Sequence, residues 1–283
     1  MLFADAHLHT NPIKGLGAKA VARKFKGLGG WFMAIVSLPP HHYGLGATFN
    51  DYVKSIEVLI NECKTARSEG LVVKCLAGIH PADLERLIAK GILKCDEAYY
   101  LALKVLNHIS TLIKEGAIDG IGEVGRPHYK TVPEAFVLNN LILRHSLTLA
   151  RDLNVNIHLH LEQGGYITAL DIDELLGYNS VSRSLVMLHH LDIRAAVEAE
   201  RLGLFYSVPG KLQILREAFK RLKPVYVIES DFVDDPRRPG VSSYPWDIIS
   251  NQKALVNDDV VNEEYIAKLN IDNIVRHYGV SPP

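Results

Sequence analysis

Cysteine is scarce in this chain: the three present in 283 residues, Cys63, Cys75 and Cys95, are odd in number, and none stands in a Cys-x-x-Cys pair. That excludes a disulfide framework and the common thiolate zinc site, and with no secretory signal it fits a reducing, cytoplasmic setting. No run approaches the roughly 18 consecutive apolar residues that cross a bilayer, so no membrane partner is expected. Charge of one sign is lacking as well. Against 31 basic residues stand 32 acidic ones, a formal net charge of −1, which excludes a global positive field of the kind that coats duplex DNA. Nor does a Gly-x-Gly-x-x-Gly follow the first apolar run, which weakens a dinucleotide-binding open sheet.

What is present is a regular alternation. With 48% hydrophobic residues the chain can bury one large core, and residues 1–283 are read as a single domain of the size of one α/β barrel. Eight short apolar runs, near residues 2–7, 31–38, 72–79, 117–123, 154–160, 184–190, 203–208 and 225–230, alternate with stretches of helical period. Asn50 or Asp51 can cap a helix that ends at Gly70, residues 96–115 repeat the pattern up to Gly116, Pro133 opens a long segment to about 153, and Asp192 opens another before Gly203. There is no internal repeat, and 234–240 is the clearest loop. Eight strands alternating with helices predict an α/β fold, a single (β/α)8 TIM-type barrel.

The chemically capable residues gather where such a barrel would gather them. The first run ends Asp5-Ala6-His7-Leu8-His9, and alternation along a strand puts His7 and His9 on one face, able to meet one metal. Further runs close with Gly78-Ile79-His80-Pro81, Gly122-Glu123-Val124-Gly125, His158-Leu159-His160, His189-His190 and Glu229-Ser230-Asp231. Of the thirteen histidines, eight (7, 9, 80, 128, 158, 160, 189 and 190) lie at or just beyond these ends. On a barrel, that rim is where distant residues become neighbours.

In order and spacing this series resembles the TatD-related deoxyribonucleases of the amidohydrolase superfamily, over residues 5 to about 231. The resemblance implies two divalent metal ions, one held by His7, His9, Glu123 and Asp231, the other by Glu123, His158 and His189, with Glu123 bridging. Zinc, manganese, iron, cobalt or nickel suit the imidazoles better than calcium does, and the carboxylates and open water positions leave magnesium eligible. Asp231 is the candidate general base, and Glu123 stands with it as catalytic. Regular alternation sends His189 and His190 to opposite faces, so at most one is a ligand there; His158 is assigned to the metal and His160 to the mouth. Asp5 and Glu229 are open between orienting an imidazole and being plain buried acids.

The chain departs from the family pattern beside the substrate. Arg126-Pro127-His128-Tyr129 replaces Leu-Asp after Gly-Glu-Val-Gly, Leu159-His160 replaces Ser-Arg after the strand-five His, and His190-Leu191-Asp192 replaces Cys-Phe-Ser. His80, Arg126, His128 and His160 are the candidate substrate contacts. Arg126 and His128, with Arg237 or Arg238, could pair with phosphate oxygens, whereas His41 and His42 read as loop residues. The leading expectation is a metal-dependent phosphodiesterase or deoxyribonuclease acting on DNA ends or single-stranded DNA through a metal-activated water. The alternative is an amidohydrolase-like enzyme cleaving a C–N, ester or lactone bond of a small molecule; Glu123, in place of a bridging lysine, favours the first branch without naming a substrate. A third reading is a metal-binding barrel without catalysis.

Overall fold

The computed structural model describes residues 1–236 and 243–283. Among these residues nine parallel strands are formed: β1 Phe3–His9, β2 Gly30–Val36, β3 Val72–Ala77, β4 Gly120–Gly125, β5 Asn156–His160, β6 Val186–Leu188, β7 Phe205–Pro209, β8 Val227–Glu229 and β9 Phe232–Val233. Residues of β1, β2 and β4 are buried along their whole length, as expected of strands covered on both faces. The sheet runs β8-β7-β6-β5-β4-β3-β2-β1-β9. Its two ends are one stretch of chain: β8 pairs with β7, β9 pairs with β1, and only Ser230 and Asp231 separate them. The sheet therefore closes on itself through residues 227–233, giving the expected barrel, with its eighth strand broken at Asp231 (φ 49°).

Helices cover the outside: α1 Gly17–Gly27, α2 Phe49–Ser68, α3 Pro81–Ala89, α4 Cys95–Lys114, α5 Pro133–Leu153, α6 Tyr166–Tyr178, α7 Ile193–Leu202 and α8 Leu212–Arg221, then α9 Pro245–Asn257, α10 Glu263–Ala267 and α11 Asn273–Tyr278. Their ends follow local chemistry. Thr48, ahead of the expected Asn50 or Asp51, caps α2, and Asp51 closes the capping box by accepting from Thr48 N at 2.9 Å. Pro133 begins α5, and Asp192 accepts from Ala195 N at 2.7 Å to begin α7. The N-terminus of α1 has no local cap; Asp234, just past β9, accepts from Leu16 N and Gly17 N, both at 2.8 Å.

Inside the barrel, Ala4, Ala6, Phe32, Met187 and Val227 pack with Tyr278 of α11 and fill the end away from the strand C-termini. Two glycines shape the other end. A Cβ on Gly78 would lie 2.5 Å from the Glu123 carbonyl, and one on Gly125 (φ 151°) would lie 1.9 Å from the His160 carbonyl. The backbones after β3, β4 and β5 can therefore converge around Glu123 only without side chains at these points.

Candidate metal centre at the barrel mouth

Glu123 stands at the centre, 4% exposed. Its Oε1 faces His9 Nε2 at 3.4 Å, His80 Nε2 at 3.8 Å and His7 Nε2 at 3.9 Å. Its Oε2 faces His160 Nδ1 at 2.9 Å and His189 Nε2 at 3.3 Å. The two oxygens thus look toward two separate sets of imidazoles. Asp231 closes the first set, with Oδ1 4.0 Å from His9 Nε2. The ligand atoms of His7, His9 and Asp231 lie within 4.8 Å of one another, as do those of His7, Glu123 and His189.

The far nitrogen of each ring fixes what the near one can do. His9 Nδ1–H donates to the Val36 carbonyl at 3.0 Å, which leaves the Nε2 lone pair for the cluster. His189 Nδ1–H donates to Glu229 Oε2 at 2.9 Å, and Ser207 Oγ donates to the same oxygen at 2.5 Å, so His189 Nε2 is likewise a free ligand atom, buried and without a hydrogen-bond partner. His80 is the reverse. Its Nδ1 accepts from Ala82 N at 3.0 Å in capping α3, so the neutral ring turns an N–H toward Glu123.

The electrostatics fit a site made for cations. Burial pushes the Glu123 carboxyl up, but the surrounding His80, His160, His189 and His9 outweigh it and hold the group well below the usual range. Burial lowers His189, yet the carboxylates of Glu229 and Glu123 raise it well above an ordinary histidine; His9 is raised in the same way by Glu123 and Asp231. Burial drives Asp231 up to about 6 against the opposing pull of His189. A buried carboxylate kept ionised beside imidazoles that gain protons has positive charge supplied by the histidines. Divalent ions would supply it instead, and the donor set of neutral imidazoles and carboxylates suits zinc, manganese, cobalt, nickel or iron.

The structure brings His7, His9, Glu123, His189 and Asp231 together, and lines the same mouth with His80, His128 and His160. Three expectations differ. His158 lies one layer too deep: its Nδ1 is 3.1 Å from His7 Nδ1, its Nε2 is 2.9 Å from the Tyr278 hydroxyl, and His160, two residues on, meets Glu123 instead. Both face inward by alternation, and depth along the strand separates them. His190 reaches the mouth although alternation sent it outward, because β6 ends at Leu188 and His190 takes a left-handed φ of 44°. Its Nδ1 lies 3.8 Å from Asp231 Oδ2.

Arg126 does not reach the mouth. Its Nε and Nη2 donate to the two Glu162 oxygens at 2.8 and 2.7 Å, and its Nη1 donates to Asp171. Glu229 orients His189, whereas Asp5 accepts from the backbone N–H groups of Ser230 and His7, at 2.9 and 3.3 Å, and burial lifts its carboxyl to about 7. His41 and His42 line the wall of the mouth together with Asp83 and Arg86, two residues the sequence had not singled out. Asp83 accepts from Tyr52 and Arg86 and lies 3.2 Å from His41 Nδ1; both residues lie in the first two turns of α3, which His80 caps, and only the helix register marks these positions. Arg237 and Arg238 lie outside the described residues.

Fold and site define a (β/α)8 barrel with a histidine- and carboxylate-lined mouth at the C-terminal strand ends. Residues 4–279 match the TatD-related DNase family, and the chain belongs to it. An uncharacterized protein of Methanocaldococcus jannaschii is 30% identical over 277 residues, 98% of this chain and 95% of its own. Among solved structures, a TatD homologue from Escherichia coli aligns with a TM-score of 0.69 at 16% identity, covering 98% of each chain. A TatD-like protein from Archaeoglobus fulgidus aligns at 0.67 and 16% identity, covering 98% of this chain and 100% of that one. At such identities the solved structures speak to the fold, that of TatD-family hydrolases. Among the described residues, no helix is long and apolar enough to cross a membrane.

Proposed function

We propose that the protein is a two-metal phosphodiester hydrolase acting on the end of a single-stranded or frayed DNA. The observation that carries this reading is Glu123, whose two oxygens face different ligand sets, His7 and His9 on one side and His189 on the other. A carboxylate so placed would bridge two cations and offset part of their charge. Two such ions, when bound, activate water near neutral pH and stabilise the attacking and leaving oxygens of an in-line displacement.

The chain's own residues then have distinct tasks. His7, His9 and Asp231 would hold the first ion, and Glu123, His160 and His189 the second, with His7 within reach of both sets. Asp231, at the rim with 22% of its side chain exposed, accepts the proton of the attacking water. His80 Nε2–H donates to an oxygen of the substrate. Arg86 offers an anchor for a non-bridging phosphate oxygen: its Nε is buried without a partner while its Nη2 holds Asp83 at 2.8 Å. The mouth, about 480 Å³, accommodates roughly one nucleotide and not a duplex.

One observation favours a second reading, hydrolysis of a C–N, ester or lactone bond in a small molecule: Arg126, the nearest candidate for phosphate, is neutralised by Glu162 and Asp171. The test is cleavage of a 5′- or 3′-labelled single-stranded oligonucleotide by metal-free protein reloaded with Mg²⁺, Mn²⁺ or Zn²⁺. The expected result is metal-dependent cleavage that Asp231→Asn lowers by about 10²- to 10⁴-fold. Two bound ions without cleavage, together with turnover of an amide, ester or lactone, would replace the first reading by the second.

A further inference from the structure

On the outside of the barrel, away from the mouth, α4 and α5 present an apolar face to solvent. Val137 and Leu141 of α5 are 58% and 46% exposed, and Tyr100 of α4 is 63% exposed. Between the two helices runs a groove of about 430 Å³, with Tyr99 on one wall and Val137, Leu138 and Leu141 on the other. The inner face of α5 is already occupied, since Ile142, Leu143 and Leu147 pack into the core. A second apolar stripe on the outer face of a surface helix adds nothing to that core and marks a contact with another molecule.

The stripe carries its own complement. Glu134 stands three residues before Val137, and Arg144 three residues after Leu141; at helical spacing all four lie along one exposed side of α5. Read along the helix the side runs acid, apolar, apolar, base. Two copies of α5 laid antiparallel about a twofold axis level with residue 139 therefore set Val137 of each against Leu141 of the other, and Glu134 of each against Arg144 of the other. At the rise of an α-helix the apolar pairs fall about 3 Å from the axis and the charged pairs about 7.5 Å from it, two of each. A parallel twofold pairing would instead oppose Glu134 to itself and Arg144 to itself. Among the described residues neither charge has an ionic partner within its own chain. The antiparallel axis also brings the two α4–α5 grooves to the same side, so that Asp96, at the acidic end of one groove, comes to the exposed His145 of the other copy.

We infer that the chain forms a twofold dimer through α4 and α5, the groove of each copy being filled by a second copy of the same chain. The partner's Leu141 enters beside Val137, and the charged pairs at either end fix the register. Because α5 starts after the C-terminal end of β4 and runs away from the mouth, antiparallel pairing turns the two mouths to opposite sides and covers neither. The interface depends neither on the ions at the mouth nor on the bond cleaved there.

Sedimentation velocity of the full chain over about 1 to 100 μM, a range that reaches the weaker interfaces of ordinary size, tests the inference. Wild type is expected at twice the 31.5 kDa of one chain. Leu141→Glu, at an exposed position, should sediment as a monomer, with circular dichroism and a thermal melt checking that its barrel is intact. Glu134→Arg and Arg144→Glu should each raise the dissociation constant about tenfold, since either creates like-charge contacts twice across the axis, and the two combined should return it to within about threefold of wild type. A wild type that stays monomeric up to about 100 μM, or a dimer that Leu141→Glu leaves intact, overturns the inference, and the face would then belong to a different partner. Single reversals without effect, or a combination that fails to restore the dimer, would refute the antiparallel register on which it stands.

Discussion

His80 and His9 both face Glu123 Oε1, at 3.8 and 3.4 Å, yet each turns a chemically opposite atom toward it. His9 has given its Nδ1–H to the Val36 carbonyl and presents a lone pair, while His80 has taken the Ala82 N–H and presents a proton. The first is built to hold a cation, the second to hydrogen-bond an oxygen. Burial pushes His80 down to about 3, so the ring acts as a neutral donor at any working pH. His80→Asn preserves the cap, because asparagine is among the best N-caps, but withdraws the Nε2–H. The expected outcome is unchanged metal content, a Tm within about 2 °C of wild type, as a preserved cap implies, and kcat lowered about 10- to 100-fold, the order of a lost transition-state hydrogen bond. Elemental analysis beside the kinetics distinguishes the roles, since loss of an ion would make His80 a ligand. None of this is visible in the string Gly78-Ile79-His80-Pro81. Sequence marks the histidine, but its tautomer depends on the helix that Pro81 starts.

At the scale of elements, much was legible because strand and helix periods leave a clear record. Seven of the eight apolar runs became β1 to β7 with ends shifted by a few residues, and α5 begins at Pro133 as expected. The eighth run became β8, and a second short strand, β9, follows just beyond it because Asp231 adopts a left-handed conformation between the two, which a run of apolar residues does not encode. The same limit explains His190: alternation holds only while the strand lasts, and β6 is three residues long. Sequence alone points Arg126 at the substrate because its partners, Glu162 after β5 and Asp171 within α6, are 36 and 45 residues away. In the fold it is a clasp joining the end of β4 to β5 and α6. With its side chain 5% exposed but Asp171 half exposed, the clasp contributes about 1–3 kcal/mol after allowance for solvent screening. Arg126→Met is expected to lower Tm by about 2–8 °C, the fall such a loss produces in a domain of this size, and to leave KM within about twofold. Thermal melts and steady-state kinetics decide it: a tenfold rise in KM at constant Tm would return Arg126 to the substrate.

At the scale of the whole molecule, closure of the barrel through residues 227–233 is what makes the centre one site. It brings Asp231 N within 3.0 Å of the His7 carbonyl and Asp234 to the end of α1, so residues more than two hundred positions apart share one rim. The ordered set of rim motifs announced this gathering, but the depth of each residue depends on strand tilt and register, which is why His158 and His160 exchange places relative to expectation. The charge of the molecule sets its reach beyond that rim. A net charge of −1 and a mouth in which, among the described residues, the fixed cation is Arg86, itself shared with Asp83, leave few groups to displace counterions along a nucleic acid backbone. If the substrate is the end of a DNA strand, only one or two phosphates are engaged by the protein's own charge. With a slope near −0.7 per phosphate for single strands, KM should then rise less than about tenfold between 50 and 200 mM salt, while kcat stays level. The kinetics are to be followed with metal held saturating, so that salt does not strip the ions. A steeper dependence would mean that the strand lies along an extended basic track, and the small mouth would then be the end of a longer binding surface and not the whole of it.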